Sequence, residues 1–220
     1  MSTLFEMDCG GETVTIEKTD DGDFIFHGYD EDAELAAIEL GFEPSPCWIV
    51  WTAINNDELN YVLLDQVMLD HASEVEALIF VGADVEASGS ENWKPLHTTA
   101  FNNSIKTAKT LIESGAHVDA KDEDGWTPLH AAVSRGHADL AKTLIGAGAN
   151  VDASTNLKNT PLHLLADNGR HPDIARLLLK AGANFNAENH LGYTPLQTAE
   201  QYQSKGVATI INDWILEHGE

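Results

Sequence analysis

The chain has 220 residues, of which 43% are hydrophobic and 22% charged, a composition typical of folded globular proteins that excludes wholesale disorder. Its net charge is −24, and residues 1–91 hold 22 acidic residues and one basic residue, which disfavours nucleic acid and anionic membranes as partners and favours a basic protein. Short apolar runs, an acidic start and only two cysteines, Cys9 and Cys47, exclude a membrane helix, a secretory signal and a disulfide framework, so a cytoplasmic protein is expected. We also expect the unbound chain to be a monomer.

Residues 1–56 fit no repeat and are predicted to form a small acidic cap of ββα-like order. Residues 13–17 and 23–27 alternate apolar and polar side chains on either side of a turn-rich segment, which predicts a β-hairpin. Acidic side chains stabilise the positive end of a helix, and the helix predicted to follow begins with three of them: Asp30, Glu31 and Asp32.

A period of 33 or 34 residues runs through the rest of the chain. One marker of the period is a proline followed by leucine and then histidine or glutamine, and the other is a Gly-Ala pair. The prolines are Pro95, Pro128, Pro161 and Pro195, and the glycines are Gly82, Gly115, Gly148 and Gly182. Two independent markers with one period predict a repeat architecture.

Each period carries the signals of two helices. In the clearest one, Thr127 is suited to cap a helix and Pro128 fits its first turn, where a missing N–H costs nothing. Gly136 ends this helix, and Gly148 ends a second helix whose apolar residues recur at helical spacing. A single helix pair cannot bury its apolar face alone, so the pairs are expected to stack.

This pattern resembles the ankyrin repeat family. Residues 125–153 are close to the consensus sequence of that family over nearly the full length of the consensus. The resemblance is strong over 92–220 and weaker over 57–91. It implies a mostly α solenoid of helix–turn–helix repeats joined by β-turn fingers, with the small cap at its N-terminal end. The array 57–220 would then comprise a degenerate repeat, three regular repeats and a C-terminal cap: 57–91, 92–124, 125–157, 158–191 and 192–220.

The histidines are candidates for metal binding or catalysis, but their spacing argues against both roles. His97, His130 and His163 recur once per repeat, about 10 Å apart, so they cannot share one metal ion. The resemblance implies instead that they bond to neighbouring backbone and order the fingers. Neither cysteine has a partner at redox or nucleophile spacing, and no phosphate-binding loop is present. We therefore predict no catalytic residue, cofactor or metal, and no enzymatic activity.

The resemblance implies that partners bind at the finger tips and on the concave face formed by the first helices. Large aromatic side chains are preferred anchors at protein interfaces, although at the tips they are equally explained by stacking within the fingers. The predicted contact residues of the array and the cap are Trp93, Phe101, Asp122, Glu123, Asp124, Trp126, Arg135, Tyr193, Asp30, Glu31 and Asp32.

The sequence therefore predicts a non-enzymatic binding protein with a basic protein partner. The most concrete version is an inhibitor or immunity-type protein that blocks a basic enzyme, such as a nuclease toxin, by occupying its nucleic-acid face. Two alternatives remain open. One is an adaptor or scaffold in which the acidic residues serve only solubility. The other is a regulatory subunit, or an enzyme, that uses residues 1–56.

Overall fold

The computed structural model describes residues 3–8, 13–18, 24–28, 49–50, 58–168 and 170–218. The predicted helix that begins at Asp30, Glu31 and Asp32 lies outside these residues, and so do Cys9 and Cys47. Three strands stand at the N-terminal end of the described chain: β1 (Thr3–Asp8), β2 (Thr13–Lys18) and β3 (Phe24–His27).

The three strands form one antiparallel sheet in the order β1-β2-β3. β2 and β3 are the predicted hairpin, with Ile16 opposite Phe26. β1 was not predicted from the sequence. It pairs along its whole length with β2, where Phe5 lies opposite Ile16. Met7, Val14 and Ile16 are buried, so one face of the sheet belongs to the core.

Between residues 58 and 218 the described chain forms ten α helices and one short 3₁₀ turn (Ser90–Asn92), which are joined by turns and fingers. The helices are α1 (Leu59–Met68), α2 (Ala72–Val81), α3 (Pro95–Asn102), α4 (Ile105–Glu113), α5 (Pro128–Arg135), α6 (Ala138–Gly146), α7 (Pro161–Asn168), α8 (Pro172–Lys180), α9 (Pro195–Gln201) and α10 (Lys205–His218).

The helices form two layers. The odd-numbered helices, here called the first helices, pack side by side in chain order from α1 to α9. The even-numbered second helices form the other layer in the same order, from α2 to α10. Each first helix also packs on the second helix that follows it, so contacts run between neighbouring pairs, as in a repeat solenoid. The predicted solenoid of helix pairs is therefore confirmed.

Local sequence chemistry explains where the first helices begin. Pro95, Pro128 and Pro195 each occupy the first turn, where no backbone N–H is required. Before α9, the Thr194 hydroxyl accepts a hydrogen bond from the backbone N–H of Gln197 at 3.3 Å, and the Gln197 side-chain oxygen accepts one from the N–H of Thr194 at 2.9 Å. This reciprocal capping box satisfies two backbone N–H groups at the start of the helix.

The core repeats with the same period as the sequence. Leu96, Leu129 and Leu162 of the first helices are at most 1% exposed. The second helices bury a matching leucine in each repeat, and these residues are fully buried: Leu111, Leu144 and Leu178. Small residues such as Ala131 and Ala132 are also fully buried and let adjacent first helices approach closely.

Different structures close the two ends of the array. At the N-terminal end, β1 packs on α2, where the ring of Phe80 stacks on Phe5 with 5.1 Å between centroids and meets the ring of Phe24 at 6.5 Å. At the C-terminal end, the 14-residue helix α10 packs on α8 and α9. The first helix pair is α1–α2, and α2 ends at Gly82, which has a left-handed conformation (φ 116°).

We expect Gly136→Ala to destabilise the array more than Gly148→Ala. Both glycines have positive φ, 79° and 94°, so alanine is strained at either position. A Cβ atom at Gly148 would meet open space, whereas at Gly136 it would collide with the ring of His171 from the next repeat. Urea unfolding should show an extra loss of about 0.5–1.5 kcal/mol at Gly136, the cost of moving the His171 ring away from its preferred rotamer. Adding His171→Ala should remove that excess, and equal losses at the two glycines would contradict the contact.

Candidate functional site

Three histidines tie each first helix to the finger that follows it. His97 Nε2 donates to the backbone oxygen of Trp126 at 3.0 Å, and His130 and His163 make the equivalent bonds to Asn159 (3.1 Å) and Tyr193 (3.0 Å). Burial lowers the pKa of all three rings, that of His130 to about 4, so the rings are neutral at neutral pH. The predicted bonds from these histidines to neighbouring backbone are confirmed, and the bonds position the fingers.

The fingers are also bonded to one another, close to their tips. The backbone N–H of Glu123 donates to the oxygen of Glu91 at 3.1 Å, and that of Asn156 donates to the oxygen of Asp124 at 2.9 Å. His190 repeats the pattern with Leu157 in the last two fingers at 3.0 Å. These hydrogen bonds therefore fix the position of each finger relative to the next, and the exposed side chains of the fingers form one continuous surface.

Several acidic side chains of the fingers bond to the backbone. The carboxylates of Glu86 and Asp119 accept hydrogen bonds from the backbone N–H of His117 (2.8 Å) and Asn150 (2.9 Å) in the next repeat. Asp122, a predicted contact residue, is half-buried, and its carboxylate accepts bonds from the N–H groups of Asp124 (2.9 Å) and Trp126 (2.7 Å). These carboxylates shape the fingers.

Three exposed acidic residues lie together at the tips of the first two fingers. The predicted contact residues Glu123 and Asp124 are exposed, and Glu91 of the preceding finger is exposed beside them. Nearby lysines point elsewhere, since Lys94 Nζ donates to the oxygen of Glu86 at 3.1 Å and Lys121 Nζ to that of Ser154 at 3.0 Å. We call Glu91, Glu123 and Asp124 the acidic rim.

An apolar groove opens beside the acidic rim. It has a volume of about 640 Å³ and lies between α1, α3 and the first finger. We call it the N-terminal groove; it is lined by Leu64, Met68, Gly89, Ser90, Glu91, Trp93, Thr98, Phe101 and Asn102. Met68 is 64% exposed, which is unusual for a side chain of this kind and typical of a contact surface.

Two aromatic side chains line one wall of this groove, and a cationic side chain covers one of them. Phe101 is 38% exposed, as the sequence predicts, but its ring is partly covered. The Arg135 guanidinium lies 3.5 Å from the ring centroid, and the ring of Trp93 meets it edge-on at 6.1 Å. Three predicted contact residues thus come together, and Arg135 is held by a cation–π interaction.

The other two predicted aromatic residues lie apart from this cluster. Trp126 is half-buried and packs beside His130, with 6.1 Å between ring centroids. Tyr193 is 40% exposed and lines a different groove near the C-terminal end of the array. Asp30, Glu31 and Asp32 lie outside the described residues. The predicted set is therefore divided between separate parts of the surface.

Sequence reasoning missed Leu64 and Met68, which line the N-terminal groove. They lie one period of 33 residues before His97 and Phe101, in the degenerate repeat. Phe101 was already predicted to face the concave side. The equivalent position one repeat earlier was therefore the signal that could have identified this part of α1 as part of the same surface.

No group of three or more histidine, cysteine, aspartate or glutamate side chains is arranged to hold a metal ion within the described ranges. Among the helices of those ranges, none combines the length and the apolar character needed to cross a bilayer.

The stacked helix pairs and the bonded, exposed fingers define a helical repeat solenoid of the kind that presents an extended binding surface. A family model for ankyrin repeats, built of three copies, matches residues 63–155 and 147–215, which together make up more than half of the chain. The chain belongs to the ankyrin repeat family, and its array is a protein–protein interaction module. Comparison with curated proteins gives no match.

Proposed function

We propose that the array binds a basic protein partner through the N-terminal groove and the acidic rim. The observation that carries this proposal is the position of three exposed carboxylates beside an exposed apolar groove. Glu91 lines the groove, and the backbone N–H of Glu123 donates a hydrogen bond to the backbone oxygen of Glu91. A central apolar anchor with a charged border is the usual anatomy of a protein interface. Trp93 and Phe101 supply the aromatic anchors.

The distribution of charge along the fingers supports the choice of a basic partner. The first two fingers carry most of the acidic residues, whereas the last two are rich in asparagine. The acidic finger residues are Asp84, Glu86, Glu91, Asp119, Asp122, Glu123 and Asp124 in the first pair and Asp152 and Glu188 in the second. A field concentrated at one end steers a basic protein toward that end and speeds encounter.

The more specific form of the proposal is an inhibitor or immunity-type protein that blocks a basic enzyme such as a nuclease toxin. Residues 1–91 carry a net charge of −21, and a surface with this charge competes with a nucleic-acid backbone for the same basic face. In this proposal residues 1–56 act as an acidic cap next to the array 57–220, the complex forms in the cytoplasm, and Asp30, Glu31, Asp32 and Trp126 extend the contact surface.

One observation favours an adaptor instead. The carboxylates of Glu86, Asp119 and Asp122 all accept backbone hydrogen bonds, so part of the acidic character has a structural use. In an adaptor, the remaining acids would serve solubility, and removing them would leave binding unchanged.

We expect the acidic rim to control the rate of partner association. The variant Glu91→Gln, Glu123→Gln, Asp124→Asn should associate about 10-fold more slowly at low salt, because electrostatic steering raises on-rates by about 10 to 10³-fold. Dissociation should change less, since exposed border charges act mainly on encounter. The first measurement is the association rate by surface kinetics at 50 and 150 mM NaCl, with a partner captured by the wild-type chain. A second assay asks whether formation of the complex suppresses cleavage of DNA or RNA by that partner.

The matched control is Glu113→Gln, Asp139→Asn, Asp173→Asn, which removes the same charge from exposed positions of second helices. It should associate like the wild type at both salt concentrations. An acidic partner, a salt-independent on-rate, or equal slowing of both variants would contradict the proposal. A salt-dependent on-rate with no effect on cleavage would support binding to a basic partner and contradict inhibition of a nuclease.

A further inference from the structure

A second groove lies at the opposite end of the concave face. It is formed by α7, α9 and the last two fingers and has a volume of about 350 Å³, within the range of small-ligand sites. It is smaller than the N-terminal groove and more enclosed. Two tyrosines line it with their side chains exposed, Tyr193 by 40% and Tyr202 by 59%.

Three polar side chains of this second groove can accept hydrogen bonds from a ligand. Asp167 is exposed and brings a carboxylate. Asn159 brings a side-chain oxygen whose position is fixed because it accepts a bond from Asn189 Nδ2 at 3.2 Å. Gln201 lies on the wall formed by α9 and adds a side-chain amide. A ligand bound here would therefore meet an anionic oxygen and amide oxygens between aromatic rings.

None of the described residues that line this groove is a lysine or an arginine. His163, which also lines it, is neutral, because burial lowers its pKa and both ring nitrogens are occupied by Thr160 and Tyr193. His190 also lines the groove, and its Nδ1 donates to the backbone oxygen of Leu157 at 3.1 Å. Asp167 therefore has no lysine or arginine partner among the residues that line the groove.

The Thr198 hydroxyl is a second polar feature of this groove. Thr198 is 5% exposed and lines the groove. Its oxygen is the one buried side-chain polar atom of the described residues with no hydrogen-bond partner. A buried hydroxyl without a partner is costly, and rotation of this side chain toward the groove would let the hydroxyl accept a hydrogen bond from a ligand N–H.

We propose that this groove holds the side chain of an arginine from the partner protein. A guanidinium is planar and stacks on tyrosine rings, and its fork of N–H donors matches one carboxylate together with nearby amide oxygens. Lysine offers a single strongly hydrated charge and no planar face, so it fits the same residues less well. The choice of a protein as the source of the guanidinium rests on the proposed function, but the groove and its residues are distinct from the acidic rim.

The test is a titration of the full chain, labelled with ¹⁵N, with N-acetyl-arginine methylamide at constant ionic strength and pH 7.5. We expect saturable shifts of the amide signals of Thr198, Gln201 and Tyr202. The variant Asp167→Asn should bind at least about tenfold more weakly, since it loses a charge-assisted hydrogen bond. Asp139→Asn, which removes one exposed charge from α6, should bind like the wild type.

The same titration with blocked citrulline, blocked lysine and free arginine decides the specificity. Citrulline has the same shape without the charge and should not bind, and lysine should bind more weakly than arginine. Equal responses to these compounds, shifts spread over other repeats, or unchanged binding by Asp167→Asn would overturn the proposal. Much tighter binding of free arginine than of the blocked form would also overturn it, because the site would then serve a free small molecule. The titration uses no partner protein, so it can fail while the association kinetics succeed, and the reverse.

Discussion

Between pH 7 and pH 4, we expect the wild-type array to lose about 3 kcal/mol more stability than the variant His130→Gln. The His130 ring is fully buried, and burial lowers its pKa from 6.5 to about 4. Each pH unit between the folded and unfolded pKa values corresponds to about 1.4 kcal/mol, which gives the expected difference.

The sign follows from which state binds the proton. Below pH 6.5 the unfolded chain protonates this histidine, whereas the folded chain keeps it neutral until about pH 4. The contribution to stability is therefore complete above pH 6.5, falls as the pH drops toward 4 and then levels off. His97 and His163 have pKa values lowered by the same cause and should act in the same direction.

Glutamine is the appropriate replacement because the last repeat already uses it. Gln197 occupies the equivalent position, and its side-chain oxygen accepts the helix-start bond from the N–H of Thr194 at 2.9 Å. The variant His117→Gln, at an exposed position, controls for the loss of a histidine as such. Urea unfolding of the three proteins at several pH values gives the difference, and parallel pH profiles for wild type and His130→Gln would contradict a neutral, buried ring.

The solenoid was predictable from the sequence because each repeat contains the same residue types at the helix starts, at the helix ends and in the core. Pro128 at a helix start, Gly136 at its end and a buried leucine such as Leu144 determine a helix pair without reference to distant residues. The role of His130 was implied by the resemblance to the ankyrin repeat family, and its partner, the backbone oxygen of Asn159, lies 29 residues away in the next repeat.

The binding surface was only partly predictable, because it depends on side chains from different repeats and on how they turn. Asp122 looked like a surface acid, yet its carboxylate bonds to its own finger. Arg135 and Phe101 were both predicted to be exposed, but no pattern indicated that one covers the other. Strand β1 was missed for the same reason, since its apolar residues Phe5 and Met7 become informative only when β2 lies opposite.

The packing of the sheet on the array gives the second large expected effect. Phe80, near the end of α2, is half-buried between the rings of Phe5 and Phe24. Phe80→Ala removes both aromatic contacts and leaves a cavity where the sheet meets α2. Truncation of a fully buried phenylalanine costs about 3–5 kcal/mol, so for this half-buried ring we expect a loss of about 2–3 kcal/mol in the free energy of unfolding.

The same substitution should cost far less once the sheet is removed. In a chain that lacks residues 1–28, Phe80 has lost both aromatic partners and its ring has become more exposed, so replacement by alanine should change stability by well under about 1 kcal/mol. The coupling between truncation and substitution, about 2 kcal/mol, then measures the docking of the sheet. Phe185→Ala, in the last finger, is the control and should cost the same in both chains, since contacts in a solenoid run between neighbours. If Phe80→Ala costs as much without residues 1–28 as with them, the sheet does not stabilise the array through α2, and the first repeat is closed in some other way.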